Sequence, residues 1–280
     1  RVIHQPNGGH GAGLNQGIQT AQGLYFKVVD SDDRLDRDSL LSLMDVLREH
    51  ADSTNQFDLL VHNYVYDQVG HDAVFSVNYR VAMKPGKVQT WEEMRRFPVH
   101  KQFMIHALVY RTQMLRDIPL VLPEHTFYED NLYIYLPLPY AKRVYYLDLP
   151  LYGYFIGRED QSIAEENILR RLDQITHITG LVATTYSLEQ LKALPKTLYG
   201  YMINNCAGLL ATTSALQFIK ATDESLDMNR RMWQGIRNFD PELYLTLRRN
   251  PLGRAASPQG ETGRRTLVGG YRFVRKMIRF

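Results

Sequence analysis

The segment "LYFKVVDSDD" puts Asp30, Asp32 and Asp33 at the end of a nearly continuous apolar run. Carboxylates this close repel one another unless a cation sits among them. A hard divalent ion such as Mg2+ or Mn2+ takes one or two carboxylates and completes its shell with phosphate oxygens and water. An acidic group at a strand end therefore reads as a metal-bridged diphosphate site. In an open α/β sheet that is where chemistry belongs, because ligands bind beyond the carboxyl ends of the strands. The competing reading makes Asp32, Asp33 and Asp36 turn and cap residues ahead of the helical "RDSLLSLMDVL". The apolar run before them and the glycine-rich stretch upstream favour the functional reading.

Rival motifs fail on spacing. A calcium-binding EF-hand loop needs Asp or Asn where Arg34 stands and Gly where Leu35 stands. A phosphate-binding P-loop needs Gly-Lys-Ser/Thr, and "GGHGAGLNQG" has no lysine. A dinucleotide fingerprint needs GxGxxG, whereas Gly11, Gly13 and Gly17 give GxGxxxG.

The elements that must position these carboxylates follow from periodicity. "RVIHQ" reads as a strand, and residues 10–22 as a short helix with Leu14, Ile18 and Ala21 on one face. "LYFKVVDS" has the pattern of a parallel strand covered on both sides. Asp36 caps a helix reaching about Glu49. "FDLLVHNYVYDQVG" and "AVFSVNYRVAM" alternate like paired strands. Residues 90–97 look helical, "IHALVYR" a strand, "TQMLRD" a helical turn, "FYEDNLYIYL" a helix stopped by Pro137 and Pro139, and "RVYYLDLPLYGYF" a strand. From about Ser162 to Leu247 the pattern is helical, and "NPLGRAASPQGETG" (250–263) reads as a linker. Strands alternating with helices, then helices alone, predict an α/β fold with a mostly parallel sheet followed by an α-helical C-terminal region.

The chain has 280 residues, 44% of them hydrophobic and 22% charged, ordinary for a globular protein. Its one cysteine, Cys206, excludes an internal disulfide and fits a reducing compartment. No window offers the roughly 18 consecutive apolar residues of a membrane helix. The chain opens at Arg1 without a methionine and runs straight into an apolar segment, which predicts a piece whose natural start lies upstream. The net charge of +3 hides an asymmetry: residues 246–280 carry nine Arg/Lys against Glu261, leaving −5 on the rest. A basic end on a mildly acidic body suits an anionic surface or a solvated tail.

"NGGHGAGLNQGIQTAQGLYFKVVDSDD" resembles the core of the family 2 glycosyltransferases with the GT-A fold. Their Asn-Gly, Ala/Gly-x-Asn-x-Gly, Ala-x-Gly and Asp-x-Asp pieces fall on Asn7, Gly8, Gly13, Asn15, Gly17, Ala21, Gly23, Asp30 and Asp32. "FYEDN" (127–131) is similar to the acidic motif that carries the family's general base. "LYGYFIGREDQS" (151–162) resembles the segment that closes the catalytic domain. The resemblance implies transfer of a sugar from a nucleotide-diphosphate sugar to an acceptor hydroxyl, with inversion. Asp30 and Asp32, helped by Asp33, would hold Mg2+ or Mn2+ against the diphosphate. Asp130 would be the general base and Glu129 its neighbour, since adjacent carboxylates push one pKa upward. Asn7, Gly8, Gly13, Asn15, Asp30, Arg158 and Ser162 would meet the donor, and His10 and His106 are further candidate contacts. The bland reading of Glu129 and Asp130 is an acidic helix N-terminus.

The resemblance implies a partial catalytic domain over 1–162, a helical region over 163–249 and a basic linker and tail over 250–280. Relative to the family, two initial strands that hold the nucleotide are absent, so a raw sheet edge and weak or no nucleotide binding by these residues alone are expected. The tail "RRTLVGGYRFVRKMIRF" reads as a basic amphipathic helix for the anionic inner face of a membrane, or as a disordered end. A bacterial, cytoplasmic or inner-face enzyme of cell-surface polysaccharide or glycoconjugate synthesis follows, with a glycan or lipid-linked acceptor and no nucleic acid. The alternative is a non-catalytic carbohydrate-binding or assembly subunit that keeps the fold. A nucleotidyltransferase would also use acidic metal sites, but it usually carries a Gly-rich triphosphate loop near its start.

Overall fold

A computed structural model of the chain describes residues 1–52, 54–68, 75–156, 164–258 and 260–278. Helix α1 spans Gly9–Thr20 and turns Leu14 and Ile18 into the core. Strand β1 (Tyr25–Lys27) and the short β2 (Arg34–Leu35) flank the acidic loop. Helix α2 (Arg37–Glu49) starts where its sequence says it should, the Asp36 carboxylate accepting from the Ser39 amide at 2.9 Å. Then come β3 (Leu59–Gln68), β4 (Phe75–Val77), β5 (Val88–Gln89), β6 (Leu108–Arg111), α3 (Thr112–Asp117), α4 (Asp130–Tyr135) and β7 (Val144–Ile156).

The main path of the sheet runs β1-β6-β3-β7-β2, with β4 on β3 and β5 on β7. Its longest pairing, β3 with β7, is parallel; the others are antiparallel. The α/β class holds, but the sheet is mixed rather than mostly parallel. The apolar run at 24–29 reported burial on two faces, which says nothing about strand direction. Tyr25 packs with Phe57, Leu60 and Tyr145 on the face that α2 covers, while Phe26 and Val28 join the larger core opposite.

Among the described residues eight further helices follow: α5 (Glu165–Arg170), α6 (Leu172–Ala183), α7 (Leu188–Lys192), α8 (Lys196–Lys220), α9 (Asp223–Phe239), α10 (Pro241–Arg249), α11 (Pro251–Ala256) and α12 (Gly260–Ile278). Buried residues sit all round α8, the mark of a central helix. The larger hydrophobic core runs unbroken from the sheet into these helices. Polar ties cross the same boundary. Tyr201 Oη on α8 accepts from the Phe103 amide at 2.8 Å, and Tyr186 Oη donates to the Leu136 carbonyl at 2.6 Å. The described parts of the sheet and of the helical region therefore share one core. No helix among the described residues is long and apolar enough to cross a membrane.

Three local expectations need correction. Residues 1–5 form no strand; Val2 and Ile3 are exposed, and nothing described pairs with them. Residues 90–97 make turns, because the helix-like spacing of Trp91, Met94 and Phe97 belongs to one tight turn, Glu93 closing back on the Thr90 amide at 2.8 Å. The supposed linker at 250–263 holds α11, started by Pro251 and capped by Asn250. Its Gly253 is a packing residue rather than a breaker, since a Cβ there would lie 2.1 Å from the Leu247 carbonyl oxygen.

Candidate active site

The acidic loop is held by β7. Tyr152 Oη accepts from the Asp30 amide at 3.1 Å and donates to Asp33 Oδ2 at 2.6 Å, while the Phe155 amide donates to Asp33 Oδ1 at 2.8 Å. Both Asp33 oxygens thus accept hydrogen bonds that shape the loop. Asp30 remains half-buried and Asp32 exposed at the loop's outer side.

Beneath Asp30 lies a buried basic group. Lys27 Nζ donates to the His106 carbonyl at 2.8 Å and to His62 Nε2 at 2.9 Å, and lies 5.1 Å from the centre of the Tyr152 ring. Burial lowers the Lys27 pKa to about 7. His106 is buried, stacks on Tyr152 at 4.8 Å and is held neutral, its pKa lowered to about 3 chiefly by burial. It supports the loop from within the core and is no surface contact for a sugar.

Helix α1 forms the neighbouring wall. Asn7 Oδ1 accepts from the Gly9 amide at 3.0 Å, closing the turn that starts the helix. Asn15 clamps α1 to the following chain: its Nδ2 donates to the Leu122 carbonyl at 2.9 Å, and its Oδ1 accepts from the Leu122 amide at 2.9 Å. Its amide is occupied by the fold. Gly11 is required, since a Cβ would lie 2.4 Å from the Pro123 carbonyl oxygen; at Gly8 it would meet Ala12 Cβ at 2.6 Å. Gly13 faces open space. Asn7, Gly8 and Asn15 also line a groove of about 730 Å3 with Arg116, Glu124 and His125.

The second acidic motif arrives on a turn. Tyr128 has φ +71°, a left-handed conformation unusual for a tyrosine, directly before Glu129 and Asp130 begin α4. Glu129 is buried and meets His10 Nδ1 at 2.6 Å; His10 Nε2 lies 3.6 Å from Asp30 Oδ1. One imidazole from α1 therefore joins two acidic motifs far apart in the chain. Hydrogen bonding to Asp30, then to Glu129, raises the His10 pKa to about 10, and the same contact lowers that of Asp30. Asp130 is half-buried, its Oδ1 accepting from Asn131 Nδ2 and from the Asn131 amide, each at 3.0 Å. Burial, then the neighbouring Glu129 charge, raises its pKa to about 6. A carboxylate with that pKa can accept a proton near neutral pH.

The donor set fits a hard divalent ion only in part. No group of three His, Cys, Asp or Glu residues among the described residues could enclose one. Asp30 and Asp32 form an open pair of oxygen donors, which suits an ion completed by phosphate oxygens and water. Arg158 and Ser162 lie outside the described residues. Sequence reading missed Tyr152 and Lys27. "YGY" gives no hint that its first phenol bridges the acidic loop, and Lys27 looks like an ordinary strand lysine.

Residues 1–108 match the family model described as Glycosyl transferase family 2. A Bacillus subtilis (strain 168) protein named as a glycosyltransferase, EpsH, is 30% identical over 167 residues, 56% of this chain and 44% of that protein. The chain thus spans under half the length of this curated relative. The crystal structure of S. aureus TarS 1–349 is similar in fold, with a TM-score of 0.53 at 17% identity, covering 96% of this chain and 73% of that one. The α/β part with its helical C-terminal region is accordingly GT-A-like.

Proposed function

We propose that this chain forms the acidic heart of an enzyme that transfers a sugar from a nucleotide-diphosphate sugar to an acceptor hydroxyl with inversion, in cell-surface polysaccharide or glycoconjugate synthesis. The observation that carries this reading is the junction made by His10, 2.6 Å from Glu129 and 3.6 Å from Asp30. It gathers a diphosphate-side motif and a base-side motif into one site. Asp30 and Asp32 would hold Mg2+ or Mn2+. When bound, the ion neutralises charge on the leaving nucleoside diphosphate. Asp33, through Tyr152 and Phe155, keeps the acidic loop in place. Asp130 takes the proton from the acceptor hydroxyl as it attacks the anomeric carbon from the face opposite the leaving group. Glu129, buried against His10, keeps a negative charge beside Asp130 and so maintains its basicity.

The acceptor in this reading is a glycan or lipid-linked saccharide, and the reaction runs on the cytoplasmic side. Support for a membrane-facing position comes from the end of α12, where Phe273 and Val274 are exposed beside Arg272 and Lys276. The reading is tested by incubating the whole protein with α-linked nucleotide sugars and acceptor, then determining the anomeric configuration of the product by NMR. A β-linked product is expected; an α-linked one would remove Asp130 from the role of base in a single displacement.

A further inference from the structure

The helical region holds a second groove, of about 360 Å3, outside the stretch that matches the family model. That volume is within the range of small-ligand sites, ~300–1,000 Å3. Phe218, Trp233 and Tyr244 supply aromatic walls, and Arg230, Arg248 and Arg264 supply cations. No carboxylate is among its lining residues.

Two of the arginines are held for use. Arg248 donates to Tyr244 Oη at 2.8 Å and lies 5.6 Å from the centre of that ring. Arg264 sits over Phe218 at 5.1 Å. Neither has a carboxylate partner among the described residues, whereas Arg230 pairs with Asp227 at 3.0 Å. Guanidinium planes held against aromatic rings keep their N–H edges for a planar anion. Two donor–acceptor leftovers lie beside them. Trp233 is nine-tenths buried, and its indole Nε1–H finds no acceptor. Asn229 gives its Nδ2 to Ser214 and Gln217, so its carbonyl oxygen can accept from a ligand hydroxyl. A buried polar group without a partner calls for an explanation.

We propose that this groove, formed by α8, α9, α10 and α12, is a second saccharide site that takes an anionic sugar. The aromatic walls suit the C–H faces of a pyranose, Asn229 suits a hydroxyl, and the arginine pair suits a phosphate or carboxylate on the ring. A neutral sugar would leave two positive charges uncompensated. A bare anion would leave the aromatic walls unused. The site is independent of whether the acidic centre transfers sugar, because it is read by binding alone.

The chain's two tryptophans provide the test. Trp91 donates its Nε1–H to the Ala141 carbonyl at 2.6 Å in the core and serves as an internal reference. Protein labelled with 5-fluorotryptophan is titrated with glucose 6-phosphate, glucuronate, glucose and inorganic phosphate, and both 19F signals are followed. The Trp233 signal should shift saturably with glucose 6-phosphate or glucuronate, whichever responds naming the acid group, while Trp91 stays still. Glucose and inorganic phosphate should bind at least tenfold more weakly. Arg248→Gln combined with Arg264→Gln should abolish the shift, with an unchanged Trp91 signal reporting an intact fold. No shift with either sugar acid, equal binding of inorganic phosphate, or full binding by the double variant would overturn the proposal.

Discussion

Asp130 shows how much of the chemistry depends on one group's surroundings. Its pKa, raised to about 6 by burial and by Glu129, makes it a base above that pH and an acid below it. The rate per encounter with donor and acceptor should therefore fall about tenfold per pH unit below pH 6 and level off above. The positive charge of His10 acts in the opposite direction, lowering the Asp130 pKa. His10→Ala should accordingly move that acidic limb to higher pH, read from pH–rate profiles of the two proteins. A limb that stays in place would detach His10 from the base. Asp30 and Asp130 stood out in the sequence as carboxylates at a strand end and before a helix, and the structure brings their two motifs together at His10, 3.6 Å from Asp30 and 2.6 Å from Glu129. Asp33 looked equivalent in the sequence but is fixed by two hydrogen bonds from β7, which no spacing rule foretells.

At the level of elements, the glycines of α1 divide by what surrounds them. Gly11 lies against the Pro123 carbonyl, and Gly13 against nothing within 4 Å. Gly11→Ala should destabilise the protein by about 1–3 kcal/mol through overpacking. Gly13→Ala, at an exposed helical position, should stabilise it by about 0.5–1 kcal/mol. Urea unfolding of the two variants checks both signs. If Gly13→Ala raises the KM for donor while stabilising the fold, Gly13 keeps the donor-side role read from the motif. Most elements were visible in the periodicity: α1, α2, the hairpin of β3 and β4, β7 and the helical half. What periodicity could not give was the order and direction of the strands, which depend on partners distant in sequence. It also misread α11, because Pro251 and Gly253 break a pattern on paper while one starts a helix and the other lets it pack.

Across the whole molecule, the sheet and the helices share one core, so the acidic site rests on a body that includes residues well beyond the family match. The basic end of that body gives a separate expectation. With Leu267 packed inward and Phe273 and Val274 exposed among cations, α12 should carry the protein onto vesicles containing anionic lipid, and raised salt should weaken the attachment. Co-sedimentation equal on neutral and anionic vesicles would count against this. The central claim, that two acidic motifs form one transfer site, is met most directly by assaying nucleoside diphosphate release. The natural protein carrying this chain would be given a panel of nucleotide sugars with Mn2+ or Mg2+, alongside its Asp32→Ala and Asp130→Asn variants. Metal-dependent release from one donor, with the rate reduced about 10²–10⁴-fold in Asp130→Asn and metal dependence lost in Asp32→Ala, is the predicted result. Release at the wild-type rate by Asp130→Asn would contradict the account.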